Sequence, residues 1–221
     1  MQSVVNPFSM NNGIRIKVCG LTTLGDALFA DQSGADFLGF IFYPPSPRGI
    51  TLEQFRVIYP QLSAGKKVAV SVSPTMSELR AFAEAGADFF QVHFPADTPL
   101  ATVQAWSQAV GPGRLWLAPK LPRDTDVAAA WLPLADSLLL DTFHADKFGG
   151  TGATGDWAKF ARHQQAQPTK TWILSGGLNP DNIAGALSAS GAKFVDVNSG
   201  VESAPGVKDQ DKIKAFFGRI R

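Results

Sequence analysis

The chain has 221 residues, 45% of them hydrophobic and 18% charged, with a formal net charge of +1. That length suits one larger domain, and a near-neutral chain without a basic run offers no purchase to nucleic acid or an anionic membrane. No stretch reaches the roughly 18 apolar residues of a membrane span, and the lone Cys19 excludes an intramolecular disulfide or a thiolate metal cluster and suits a reducing, cytoplasmic setting.

Residues 1–13 lack the charged start and apolar run of a signal peptide. They are expected to be an N-terminal extension, open to disorder, ahead of one catalytic domain over 14–221. The first strand-like run is IRIKVCGL (14–21), followed by the helix-like TLGDALFADQSG. SGADFLGFIF (33–42) leads into the loop YPPSPR, and KKVAVSV (66–72) precedes TMSELRAFAEAG, with Ser73 or Thr75 placed to cap that helix. AGADFFQVHF (85–94), RLWLAPKL (114–121) and LADSLLLDTF (134–143) come next. The glycine-rich FGGTGATG (148–155) reads as a loop that closes over a ligand or is merely flexible. TWILSGGL (171–178) then feeds NPDNIAGALSASG, where Asn179 and Pro180 make a helix start, and SGAKFVDVNS (190–199) is the eighth run.

Four of these runs are copies of one pattern. Aligning them puts Asp36, Asp88, Asp136 and Lys193 at one position, at steps of 52, 48 and 57 residues. Each copy joins a helix stop to a buried strand. With helix-like segments between all eight runs, the chain reads as an α/β protein with a single (β/α)8 TIM barrel, a doubly wound open sheet being the alternative. No G-x-G-x-x-G follows the first run, which weakens a dinucleotide-binding version of the open sheet.

In such barrels the chemistry sits at the C-terminal ends of the strands. Alternation along the first strand turns Ile14, Ile16 and Val18 toward the helices and Arg15, Lys17 and Cys19 toward the axis. Cys19 is then the top inward residue, although a buried filler cysteine has the same pattern. In strand six, Leu139 and Asp141 point inward, which sets Asp141 across the mouth from Cys19. A lysine one layer below the thiol needs a partner, and Asp196 on the neighbouring eighth strand has the parity to supply it. Gly176, Gly177, Asn198, Ser199 and Gly200 follow strands seven and eight, where barrels bind phosphate. Arg48 offers a planar fork for a carboxylate, or a surface salt bridge. His93 has no ligand-spaced partner histidine, so no metal site is expected.

RIKVCGLT, GADFLGFIFYPPSPRGIT, QVH, LLLDT with GGTGATGDW, LSGGLNPDNI and VDVNSGVESAPGVKD stand in an order that resembles the phosphoribosylanthranilate isomerase family of tryptophan biosynthesis. The match runs from residue 15 to about residue 210. The resemblance implies an Amadori rearrangement of N-(5-phosphoribosyl)anthranilate to 1-(2-carboxyphenylamino)-1-deoxyribulose 5-phosphate, without metal or cofactor. It implies Cys19 as general base, Asp141 as general acid and Arg48 on the anthranilate carboxylate. His93 and Gly150 join the substrate site, and Gly176, Gly177, Asn198, Ser199 and Gly200 hold phosphate. The implied partner is a small phosphorylated substrate, bound by a monomer or homodimer. Such chemistry wants the thiol lowered from ~8.5 and the carboxyl raised from ~3.9. Lys17 is the first candidate to lower the thiol.

Three residues or segments depart from the family pattern. Phe94 replaces the glycine after Q-[LV]-H and is expected to crowd the site or reshape the next loop. Ser71-Val72-Ser73 replaces F-V-N, removing an aromatic and an amide from the rim. Asn198 replaces the first serine of S-S-G, keeping the backbone donors.

Overall fold

In the first strand, β1 (Arg15–Val18), the residue alternation binds two environments at once: Ile16 and Val18 enter the layer under the helices, while Lys17 and Cys19 face the axis. The same period repeats in β2 (Phe37–Ile41), β3 (Lys67–Val72), β4 (Phe89–Pro95), β5 (Leu115–Lys120), β6 (Ser137–Leu140), β7 (Thr171–Leu174) and β8 (Phe194–Val197). These eight form a closed parallel barrel in chain order, with β8 returning to β1 through the register Lys17↔Asp196. The closed alternative is the one found; the open sheet is not. The computed structural model describes residues 12–122, 125–141 and 156–221. Gly150 and the glycine-rich segment lie outside the described residues, as does most of the N-terminal extension. Asn12, within that extension, donates to the carbonyls of Ile220 and Arg221 at 2.9 and 2.8 Å.

The barrel is wrapped by α1 (Leu24–Gln32), α2 (Leu52–Ile58), α3 (Met76–Glu84), α4 (Leu100–Val110), α5 (Trp157–Ala166), α6 (Ile183–Ser190) and α7 (Gln210–Ile220). Thr75, not Ser73, caps α3, in a reciprocal box with Glu78. Ser73 instead adopts a φ of 42°, a left-handed conformation that asparagine tolerates better. Two expectations are corrected. Between β5 and β6 the described chain makes only a 3-10 turn (Ala129–Leu134), where Pro133 lacks the N–H an α-helix needs. The helix expected from Asn179 begins at Ile183, because Asn179 and Asn182 first bond each other's backbone in a turn. After β8, an antiparallel ribbon of β9 (Glu202–Ala204) and β10 (Val207–Lys208) adds a feature that the periodicity did not reveal.

The repeated aspartates support the bottom of the barrel. Asp36 accepts from the Ile16 N–H at 2.8 Å, and Asp88 accepts from the Lys67 N–H at 2.9 Å, the same contact one repeat apart. Above them an aromatic plug fills the axis. Phe37 stacks on Phe194 at 5.1 Å between centroids and meets the Trp116 edge at 4.9 Å, with Phe89 alongside. Such pairs contribute roughly 0.5–1.5 kcal/mol each beyond their burial. With the lower axis filled, the open space is left at the strands' C-terminal ends.

Candidate active site

At that end lies an open pocket of about 470 Å³, part of that space continuous with solvent. Its wall includes Cys19, His93, Asp141, Gly176, Gly177, Asn198 and Ser199, so seven of the residues picked out in the sequence meet there. Cys19 from β1 and the half-buried Asp141 just past β6 stand on strands that are not neighbours, as their parity requires. Arg48 and Gly200, also picked out in the sequence, are not among the residues of this pocket's wall.

The base of the pocket is a charged network. Lys17, fully buried, donates to Asp196 Oδ2 at 2.9 Å and to Gln91 Oε1 at 2.8 Å, with the Cys19 thiol close enough to interact with its charge. Burial is the largest single effect on this ammonium and works against it, but Asp196 and Cys19 together outweigh it and hold Lys17 above its ordinary value. Burial also pushes the Asp196 carboxyl up against the pull of Lys17. Since Gln91 accepts through its oxygen, its amide nitrogen is the donor to His93 Nε2 at 2.8 Å, which places the imidazole proton on Nδ1. Burial, reinforced by Lys17, lowers His93 to about 4. The ring is neutral at physiological pH.

Cys19 corrects an expectation. The ammonium beneath it does lower the thiol, as anticipated, but burial is the larger effect and the net displacement is upward. The thiol therefore keeps its proton at rest.

Close approach of Lys17 and Cys19 depends on a glycine that the sequence reading passed over. A Cβ on Gly39, in β2, would lie 2.8 Å from Lys17 Cε, 2.9 Å from Cys19 Sγ and 3.1 Å from Cys19 Cα. A glycine inside a strand is the signal that marks such a site.

The two turns after β7 and β8 are built for backbone contact. Gly176 and Gly177 take φ of 97° and 66°, open to glycine at no steric cost. A Cβ on Gly200 would fall 1.9 Å from the Leu178 carbonyl, so the turns press together backbone to backbone. Asn198 adds a side-chain contact, its Oδ1 accepting from Lys208 at 3.0 Å.

Arg48 is held rather than loose. Its Nε lies 2.9 and 3.1 Å from the two Glu202 oxygens, and Nη2 lies 2.7 Å from Oε2. Lys208 Nζ reaches Glu202 Oε1 at 2.9 Å. Burial would raise the Glu202 carboxyl, but Arg48 and Lys208 together hold it below its ordinary value. The salt-bridge alternative is thus present, though half-buried, and Glu202 and Lys208 are supporting residues that stood unassigned in the motif VESAPGVKD.

Two of the family departures lie elsewhere than expected. Phe94 is fully buried against Trp106 and Trp131, at 5.5 and 5.2 Å, in the layer under the helices. It does not crowd the pocket. Ser71, on β3 between the axis-facing Val70 and the next inward residue, turns to that outer layer too, so an aromatic there would not stand on the rim.

The family model for N-(5'-phosphoribosyl)anthranilate isomerase matches residues 16–219. This chain belongs to that family. It is an isomerase of tryptophan biosynthesis. The isomerase of Synechococcus elongatus is 37% identical, with 94% of this chain and 96% of that one covered. A solved structure of monomers generated from the dimeric isomerase of Thermotoga maritima superimposes with a TM-score of 0.77 at 32% identity, covering 94% of this chain and 98% of that one. A second solved isomerase, in complex with reduced 1-(o-carboxyphenylamino)-1-deoxyribulose 5-phosphate, matches equally well, with a TM-score of 0.77, 32% identity and the same coverage.

Proposed function

We propose that this enzyme carries out the Amadori rearrangement of N-(5-phosphoribosyl)anthranilate with Cys19 as general base and Asp141 as general acid. The observation that supports this most is their placement: a thiol and a carboxyl on non-adjacent strands, lining one pocket whose wall also carries the Gly176–Gly177 turn. In this reading the phosphate lies against Gly176, Gly177 and the backbone from Asn198 to Gly200. Arg48, gripped along one edge by Glu202, turns its remaining N–H groups to the anthranilate carboxylate. His93, neutral, lines the sugar. Gly150 is assigned to substrate contact on the family pattern alone.

A protonated Asp141 delivers a proton to the furanose oxygen while the anilino nitrogen lone pair forms the C1 Schiff base, which opens the ring. The iminium acidifies the C2–H, and the Cys19 thiolate removes that proton. The enolamine gains a proton at C1 and loses the one on O2, giving the ketone. Burial keeps Cys19 mostly as thiol, so the thiolate is the minority form, faced by the Lys17 ammonium that favours it. Each positioned acid or base is worth about 10²–10⁴ in rate.

The substrate is a small phosphorylated molecule, met in the cytoplasm by a monomer or homodimer. The direct test is turnover of phosphoribosylanthranilate generated in situ, followed by the fall in anthranilate fluorescence. A steady fall is expected; binding of a substrate analogue without turnover would make the protein a ligand-binding barrel instead.

A further inference from the structure

Asp196 is only 5% exposed and uses one of its two oxygens. Oδ2 accepts from Lys17, whereas Oδ1 has no hydrogen-bond partner among the described residues. A buried carboxylate oxygen left without a donor bears the full cost of its lost hydration, which is greater for a charged group than for a neutral one. Asp196 is also part of the pocket wall, together with Cys19 and Asn198. Cys19 and Asp196 sit on paired strands, where the Cys19 N–H bonds the Val197 carbonyl at 2.8 Å. The donor that Oδ1 requires must therefore come from the pocket and must lie beside the Cys19 sulfur.

We infer that Asp196 is a substrate-binding residue, whose Oδ1 accepts the hydrogen bond of the hydroxyl on C2 of the sugar. This rests on the reading of Cys19 as the base that takes the C2 proton. The hydroxyl shares its carbon with that proton, so a sugar seated with C2–H toward sulfur brings a hydroxyl to the adjoining strand. The phosphate turns and Arg48 hold the two far ends of the substrate, and Asp196 fixes the middle against rotation. Lys17 has a second task in this arrangement: by occupying Oδ2 it leaves Oδ1 as the acceptor aimed at the ligand.

The test compares two ligands by calorimetry, the reduced 1-(o-carboxyphenylamino)-1-deoxyribulose 5-phosphate and its analogue lacking the C2 hydroxyl. The wild-type enzyme is expected to prefer the hydroxyl-bearing ligand by about ten- to a hundredfold, as a hydrogen bond to a charged acceptor warrants. In the paired variant Lys17→Met/Asp196→Ala, which leaves no unpaired buried charge, the preference falls to within about threefold. Should that pair not fold, Asp196→Asn serves, with a preference expected to drop at least fivefold. If Asp196 serves only to support Lys17, both ligands weaken together and the preference survives, which overturns the inference. A wild-type enzyme without preference overturns it equally. Cys19→Ala separates this from the reading beneath it: the ligand preference persists there whether or not turnover is lost.

Discussion

Gly39→Ala places a methyl group between the two groups on which the proposed base depends. The added carbon would meet Lys17 Cε at 2.8 Å, Cys19 Sγ at 2.9 Å and Cys19 Cα at 3.1 Å. Carbon contacts relax at about 3.5–4.0 Å, so these atoms must retreat by roughly 0.5–1 Å. Lys17 cannot swing aside freely, since its ammonium is fixed by Asp196 and Gln91. Cys19 is held by the bond from its N–H to Val197. Overpacking of this kind costs about 1–3 kcal/mol, and a displacement near 1 Å at a reacting group costs about a hundredfold in rate. Urea denaturation should show that loss of stability, while kcat in the fluorescence assay should fall about ten- to a hundredfold. A folded variant with kcat within twofold of wild type would refute the claim that Gly39 sets the position of the sulfur.

Lys17→Met strands the buried Asp196 and should cost about 3–5 kcal/mol in a urea titration, with much of it recovered in Lys17→Met/Asp196→Leu; no recovery would argue against the pair. The His93 imidazole, lowered from 6.5 to about 4, stays neutral when folded. Between those values the unfolded ring takes up a proton that the folded ring refuses, so stability is lost as pH falls from 6.5 toward 4. The total is about 3 kcal/mol at ~1.36 kcal/mol per unit, an upper figure for a ring partly open to the pocket. His93→Gln should flatten that part of the acid profile, and an unchanged slope would contradict it. Iodoacetamide should alkylate Cys19 with a midpoint above the ordinary thiol range of ~8.5, moved further up in Lys17→Met; a midpoint below that range would reverse the balance of burial and charge. Glu202→Gln, which loosens the grip on Arg48, should raise KM several-fold with kcat little changed; an effect on kcat alone would detach Arg48 from substrate binding.

Much of this arrangement was legible because strand parity is local. Ile16 and Val18 against Lys17 and Cys19 follow from alternation, and the Lys17–Asp196 pair follows from alternation plus ring closure. What escaped the sequence depends on distances between segments far apart in the chain. The upward displacement of Cys19 reflects how completely β1 is covered, which no pattern of residue types conveys. The Arg48–Glu202–Lys208 cluster joins positions up to 160 residues apart through a ribbon too short to leave a periodic signal. Phe94 and Ser71 were misplaced because a comparison of motifs records which residue changes and not which face of the strand it occupies. Gly39 could have been noticed, as a glycine interrupting an apolar run.

The central claim is that Cys19 and Asp141 perform the proton transfers, and turnover of the two single variants tests it most directly. Cys19→Ala and Asp141→Asn, each shown by circular dichroism to keep the fold, should lose about 10²–10⁴ in kcat on phosphoribosylanthranilate generated in situ. Wild-type kcat in both folded variants would contradict the account.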